Sequence, residues 1–327
     1  MFDTPKRRAP TALMLALLSA APLCATPAQA SCGAATCSLM TDRFTQGTEP
    51  HLGWGADLRL EQVNQTRLRT GSTSLRASDV TTEPAIEART RNLTLQTTVS
   101  YGFNADWSLA LRAPFVRRDH QHATFDVASQ AVTGAERWTF SAPGDVQVLA
   151  RRQLPVDLDG VSSALSAGLK LPSGSTTEAN ADGSRAERAL QPGTGTTDLV
   201  LGSAYRMAFG LTNAAFFQAT LAAALHPHQG YRPGNRVELS GGWSHAYTPD
   251  LGVALQLNWR RRGHDSGVAA EPDNSGSVLL DLSPGLTVGL GRGTTAYGYV
   301  QLPLLQHVSG IQLVPRHALA VGLTHDY

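Results

Sequence analysis

The feature that most restricts this chain is a hydropathy period of two, sustained over segments of about ten residues. Leu52, Trp54, Ala56, Leu58 and Leu60 alternate with Gly53, Gly55, Asp57, Arg59 and Glu61. Leu93, Leu95, Thr97, Val99 and Tyr101 alternate with Asn92, Thr94, Gln96, Thr98 and Ser100. Val237, Leu239, Gly241, Trp243 and Tyr247 do the same, as do Leu251, Val253, Leu255, Leu257 and Trp259. Successive side chains of a strand point to opposite faces, so each segment has one aliphatic face and one small, polar or charged face. A soluble sandwich also alternates, but its strands run shorter. About ten residues is what a tilted strand needs to cross a bilayer.

Strands are expected near 51–63, 90–101, 107–117, 145–154, 161–171, 196–207, 214–225, 236–247, 251–261, 277–288, 295–306 and 317–327. Alternation is weakest near 145–154 and 295–306. The links between them alternate strictly. Long ones fall at 64–89, 118–144, 172–195, 226–235, 262–276 and 307–316, and short ones at 102–106, 155–160, 208–213, 248–250 and 289–294. Long loops on one side, short turns on the other and both termini on the short-turn side form the outer-membrane pattern. The expected fold is all-β: a transmembrane antiparallel up-and-down β-barrel of about twelve strands.

Composition removes the competing classes. Of 327 residues, 42% are hydrophobic and 16% charged, which excludes a disordered chain. A formal charge of +1 gives no case for nucleic acid. A mean hydropathy of −0.16 excludes a helical membrane bundle. One apolar run exists, Thr11 to Pro22, behind Lys6, Arg7 and Arg8 and ahead of an A-x-A site at Ala28-Gln29-Ala30. It is shorter than the roughly 20 residues of a membrane helix and reads as a Sec signal. The expected organisation is a signal peptide over 1–30, a periplasmic segment over 31–50 and the barrel over 51–327. The mature chain starts at Ser31 with a net charge of about −1. Cys24 leaves with the signal. Cys32 and Cys37, exported together, read as a small disulfide loop, since two thiolates without nearby His complete no zinc site.

An apolar row through Leu319, Val321 and Leu323 to the aromatic Tyr327 is the kind of final strand that the barrel assembly machinery recognises, and outer-membrane lipids are the expected surroundings.

Parity predicts which charges face the lumen: Asp57, Arg59, Glu61, Arg112, Lys170, Arg206, Arg236, Glu238, Arg260 and Asp281. An Arg or Lys facing lipid at mid-bilayer costs about 2–4 kcal/mol, so these point inward. Their mixed signs favour mutual pairing, which makes a salt-bridged filling of a narrow barrel the leading reading and a solute-selecting eyelet the second.

Two further groups carry chemistry on paper. His264-Asp265-Ser266-Gly267 holds a His and a Ser two apart, as a nucleophile and its base would be. The spacing resembles that of outer-membrane phospholipase. Gly267 stands where that family carries Asn, and parity turns both side chains inward, away from lipid. The pairs His120/His122 and His226/His228, and His317, fall in expected loops. Without a carboxylate nearby in sequence they read as solvated loop residues and not as a metal site. His51, His245, His307 and His325 fall near strand ends, where an amphipathic ring suits the interface. No Gly-rich loop joins a strand to a helix, so no coenzyme is expected.

Several turn and strand-entry motifs carry a resemblance. These are Tyr101-Gly102-Phe103-Asn104-Ala105-Asp106-Trp107, Gly144-Asp145-Val146, Leu171-Pro172-Ser173-Gly174 and Gln191-Pro192-Gly193-Thr194-Gly195-Thr196-Thr197-Asp198. Through them most of the mature chain resembles bacterial outer-membrane barrels near the "meta-pathway of phenol degradation" proteins. The resemblance implies a barrel that passes small, including aromatic, solutes, and it carries over no catalytic or ligand residues.

The functional expectation is a passive outer-membrane channel for small solutes. The alternatives are a lipid hydrolase using His264 and Ser266, and a structural or adhesive barrel whose long loops bind a partner.

Overall fold

In the computed structural model, residues 52–76, 79–80, 85–126 and 132–327 are described. The expected signal peptide, the 31–50 segment, the Cys32–Cys37 pair and His51 lie outside them. The elements are β1 (Gly53–Gly71), β2 (Thr73–Leu75), β3 (Ala85–Gly102), β4 (Trp107–Phe125), β5 (Val132–Pro143), β6 (Gln147–Leu154) and β7 (Val161–Lys170). They continue with β8 (Asp198–Phe209), β9 (Asn213–Ala224), β10 (Arg236–Thr248), β11 (Leu251–Arg262), β12 (Ser277–Gly291) and β13 (Thr294–Asp326). Every pairing between strands is antiparallel and joins chain neighbours, except that β1 pairs β3 past the short β2, β6 pairs β4 below the point where β5 does, and β1 meets β13. β1 closes the sheet on β13, from Gly55 opposite Asp326 to Gly71 opposite Val308. Closure removes both sheet edges, which a strand in lipid requires because no water is present to satisfy an open edge.

β13 is a hairpin and not one long strand. Its arm 294–308 pairs with β12, and its arm 311–326 pairs with β1. The two arms lie side by side, with Thr294 Oγ1 2.8 Å from His325 Nδ1 and the Asp326 N–H donating to the Gly293 carbonyl at 3.1 Å. Counted by arms, and leaving out β2 and β5, the wall has twelve strands. The expected long link 307–316 is therefore a tight turn at Ser309-Gly310, with Gly310 at φ +62°, where a side chain would be strained.

The wall is taller on one side than expected. β1, β3 and β4 run for 19, 18 and 19 residues, whereas β6 and β7 run for 8 and 10. Much of the expected link 118–144 is the upper half of β4 together with β5. Arg117 to His122 of β4 are polar on both faces, which hid this extension from a test built on alternation, and β5 turns its apolar row of Trp138, Phe140 and Ala142 inward.

The outer surface explains the solvent. Leu58, Leu60, Leu93, Leu95, Leu109, Leu111, Leu199, Leu201, Leu255, Leu257, Leu319, Val321 and Leu323 are all exposed, and they are spread over neighbouring strands as one belt. Near the short turns the belt ends in exposed Trp54, Phe103, Trp107, Tyr247 and Tyr327. Trp54 and Phe103 both pack on Tyr101, with ring centres 4.9 and 5.1 Å apart. An aliphatic band bounded by aromatics is the surface of a membrane-spanning barrel. Inside, the largest apolar cluster lies at the long-loop end and joins Leu68, Ile86, Trp138, Phe140 and Leu313 of the wall to Ala186 and Leu190 of the loop between β7 and β8.

Candidate functional site

The charges expected on the inner face are buried to different degrees. Asp57, Glu61, Lys170, Arg260 and Asp281 are buried within the barrel, and Arg59, Arg112, Arg206, Arg236 and Glu238 are half-buried. Their partners follow the pairing logic of mixed charges. Arg59 lies 2.7 Å from Glu61, and Arg236 lies 3.6 Å from Glu238. Tyr297 donates its hydroxyl to Asp57 at 2.8 Å, and Gln301 donates to Asp281 at 3.0 Å. Ser240, Asn258 and Ser283 form a hydrogen-bonded chain across three strands at 2.7 and 2.9 Å. Gln256, Asn258 and Ser283 have no exposed surface, so on this inner face they are packed against neighbouring side chains. On the short-turn side the lumen widens into a vestibule of about 450 Å³, lined in part by Arg206, Asn213, Phe216, Tyr297, Tyr299 and Thr324.

At the other end residues 171–197 fold into the mouth. Their seat is a buried ion cluster assembled from three separate stretches. Asp145 Oδ2 accepts from Lys170 Nζ at 2.7 Å and from the Thr194 N–H and hydroxyl at 2.8 Å each. Asp145 Oδ1 accepts from the Gly174 N–H at 3.0 Å. Lys170 also donates to the Thr196 carbonyl at 2.8 Å and to the Thr194 hydroxyl, and it lies 3.3 Å from Asp198 Oδ1. One lysine thus stands between two aspartates, with its donors occupied, which is the condition under which a buried charge is tolerated.

The backbone reinforces this seat. A Cβ on Gly174 would stand 2.7 Å from the Gly193 Cα, and one on Gly193 would stand 2.5 Å from the Gly174 carbonyl carbon. The two ends of the segment therefore touch backbone to backbone, joined by the Gly193 N–H donating to Ser175 at 2.8 Å. Between them the segment reaches inward. Arg118 of β4 holds Asn92 Oδ1 at 2.5 Å and donates to the Leu190 carbonyl. Arg188 sits over the Tyr231 ring at 5.4 Å and donates to the Thr194 carbonyl at 2.9 Å. Burial pushes the Tyr231 phenol above its usual range, so it acts as a neutral donor to Asp265 at 2.9 Å.

Of this seat, the sequence reading named only Lys170. Asp145, Thr194, Thr196 and Asp198 lie inside the motifs that carried the family resemblance, and those motifs converge in space.

The structure does not bring His264 and Ser266 together. Both are exposed above the wall, contrary to the inward register expected of them. His264 Nδ1 lies 2.6 Å from the Pro272 carbonyl and Nε2 lies 3.4 Å from Ser309 Oγ, so the ring is turned to other partners. The Ser266 backbone is bridged to Arg232. His245 and His325 stack edge-on with Tyr247 and Tyr327 at 4.7 and 4.3 Å, as interfacial rings. His307 meets Ser72 Oγ at 3.1 Å, His226 and His228 lie in the loop after β9, and His317 lies on β13. His120 and His122 depart from expectation, since they are fully buried on β4 inside the barrel and not in a solvated loop.

No family model and no curated protein matches the sequence. In three dimensions the chain is similar to the COG4313 outer membrane channel from Pseudomonas putida F1, with a TM-score of 0.62 at 10% identity over 88% of this chain and 100% of that one. It is also similar to the transport unit of the autotransporter AIDA-I from Escherichia coli, with a TM-score of 0.50 at 10% identity over 90% and 95% of the two chains. At such identities the shared property is the fold. With the exposed aliphatic belt, that fold defines an integral β-barrel of the Gram-negative outer membrane.

Proposed function

We propose that this barrel is a passive channel for small solutes, and that residues 171–197 act as its mouth constriction. The observation that carries the reading is the tethered segment. It enters the mouth from one loop and is held by a compact polar seat, while a polar-lined vestibule of about 450 Å³ stands at the far end. A covalently continuous loop folded inward narrows a pore without requiring a separate plug domain. The paired lumen charges then set the field that a permeating ion meets, because a confined low-dielectric pore focuses potential.

The resemblance to the phenol meta-pathway barrels supports small aromatic compounds as the solute class. The same reading has the chain exported by residues 1–30, closed at Cys32–Cys37 by a disulfide, and inserted by the assembly machinery through the strand ending at Tyr327. Liposome swelling with a series of uncharged sugars and phenols tests the function. Permeation that falls steeply with solute size supports it, and swelling no faster than that of protein-free vesicles for every solute would refute it.

A further inference from the structure

Inside the long-loop end, apart from the ion cluster that seats the segment, four chemistry-bearing side chains converge from three places in the chain. His120 and His122 are two apart on β4 and share its inward face. Glu87 stands opposite His122 on β3. Glu187 comes from the inserted segment and places Oε1 3.7 Å from His122 Nε2. One ligand atom each from Glu87, His120 and His122 lies within 4.8 Å of the others, and all three residues are buried.

The rings are held as ligands are held. Thr90 Oγ1 engages His120 Nδ1 at 2.7 Å, which leaves Nε2 as the nitrogen facing the cluster. His120 Nε2 and both nitrogens of His122 are buried without a hydrogen bond, as are both carboxylate oxygens of Glu187. Trp138 packs on both rings, with centres 5.8 and 5.0 Å away, and its own indole N–H is fixed to the Ser184 carbonyl at 3.0 Å. Burying so many polar atoms without partners is costly, and such groups call for an explanation. Burial, with Glu271 and Glu87 adding negative charge beside it, pushes the Glu187 carboxyl well above the usual range. Arg118, the nearby cation, is committed to Asn92 and to the Leu190 carbonyl.

We propose that Glu87, His120, His122 and Glu187 form a binding site for a divalent first-row transition ion such as Zn²⁺. Two imidazoles and two carboxylates are a borderline-hard donor set that suits this class of ion over Ca²⁺ or Mg²⁺, which take oxygen donors. Bonds of about 2.0–2.1 Å put tetrahedral ligand atoms about 3.3 Å apart, so the Glu87, His120 and His122 donors, now within 4.8 Å of one another, draw together, and Glu187 joins them from its place 3.7 Å from His122. A recess of about 280 Å³ between the loops meets the site at Glu187 and is lined by Glu187, Glu271 and Asp265 beside Arg185 and Arg188. Because Glu187 belongs to the inserted segment and the other three to the wall, the ion fastens the segment to β3 and β4. The site stands whether or not solutes pass through the lumen.

The test is calorimetric titration of Zn²⁺ into refolded, chelator-washed full barrel, with Co²⁺ absorption as a second readout. The expected result is one site per chain, with the intense visible bands of four-coordinate Co²⁺. Glu187→Gln, which lies on a loop outside the wall, should weaken binding by about 10–100-fold, at least as much as loss of a supporting group does. His120→Ala with His122→Ala should abolish it, while His226→Ala with His228→Ala should leave it intact. Absence of binding to the wild type overturns the proposal, as does binding that survives Glu187→Gln and the His120/His122 pair unchanged. If the His120/His122 variant does not refold, a wild-type Co²⁺ spectrum of purely six-coordinate, weakly absorbing type overturns it equally.

Discussion

Lys170 Nζ lies 2.7 Å from Asp145 Oδ2, and this buried pair fastens the start of the inserted segment to the barrel wall. Removing the cation leaves Asp145 and Asp198 facing each other's charge away from water. Lys170→Met should therefore cost about 3–5 kcal/mol locally, the range for breaking a buried pair. Residues 176–192 should become cleavable by protease in the folded barrel and the conductance should rise. A segment as resistant as the wild type would show that the pair does not seat it.

The glycine contact gives an independent handle on the same segment. Gly174→Ala and Gly193→Ala force a methyl group into backbone at 2.7 and 2.5 Å, an overpacking that costs about 1–3 kcal/mol. Gly241→Ala is the control, since its Cβ would meet nothing nearer than 3.8 Å. Protease sensitivity in the first two variants and none in the third is the expected pattern.

How far the sequence was legible follows from where one rule applies. Across β7 to β12 a single face meets lipid, so period two is clean and the strands were legible from it. Where β4 rises above the membrane, Arg117 to His122 are polar on both faces, so His120 and His122 read as loop residues. The ion cluster was unreadable for a different reason. Asp145, Lys170 and Thr194 are 25 and 24 residues apart, and no local pattern announces that a loop will return to its own strand.

The outer belt predicts an asymmetric response to charge. Leu257→Arg faces lipid and should cost about 2–4 kcal/mol if its depth is near the midplane. It should be visible as a lower denaturant midpoint in refolding into vesicles. Asn258→Asp on the opposite face perturbs the Ser240–Asn258–Ser283 chain but meets no lipid, so its effect should be smaller.

Ser266→Ala should change neither folding nor any measured activity, because His264 is directed to Pro272 and Ser309. Fatty-acid release from phospholipid micelles should stay at background in both the wild type and the variant. Release by the wild type that Ser266→Ala abolishes would revive the hydrolase reading.

Lumen charges should tune selectivity more than they build the fold. Arg236→Ala, which loses a pair at 3.6 Å with Glu238, should shift reversal potentials modestly toward cations. Arg260→Ala should do the same from the neighbouring strand. Unchanged selectivity in a conducting barrel would make these residues filling alone.

The most direct test of the channel account is single-channel recording in planar bilayers of the wild type beside a variant in which Thr176–Pro192 is replaced by a short Gly-Ser link. The excision is geometrically mild, because Ser175 and Gly193 are already hydrogen-bonded at 2.8 Å. The account predicts small steps for the wild type and several-fold larger ones for the shortened barrel, since the mouth is then unobstructed. Silent bilayers from both proteins, each verified as folded by heat-modifiable migration, would contradict it.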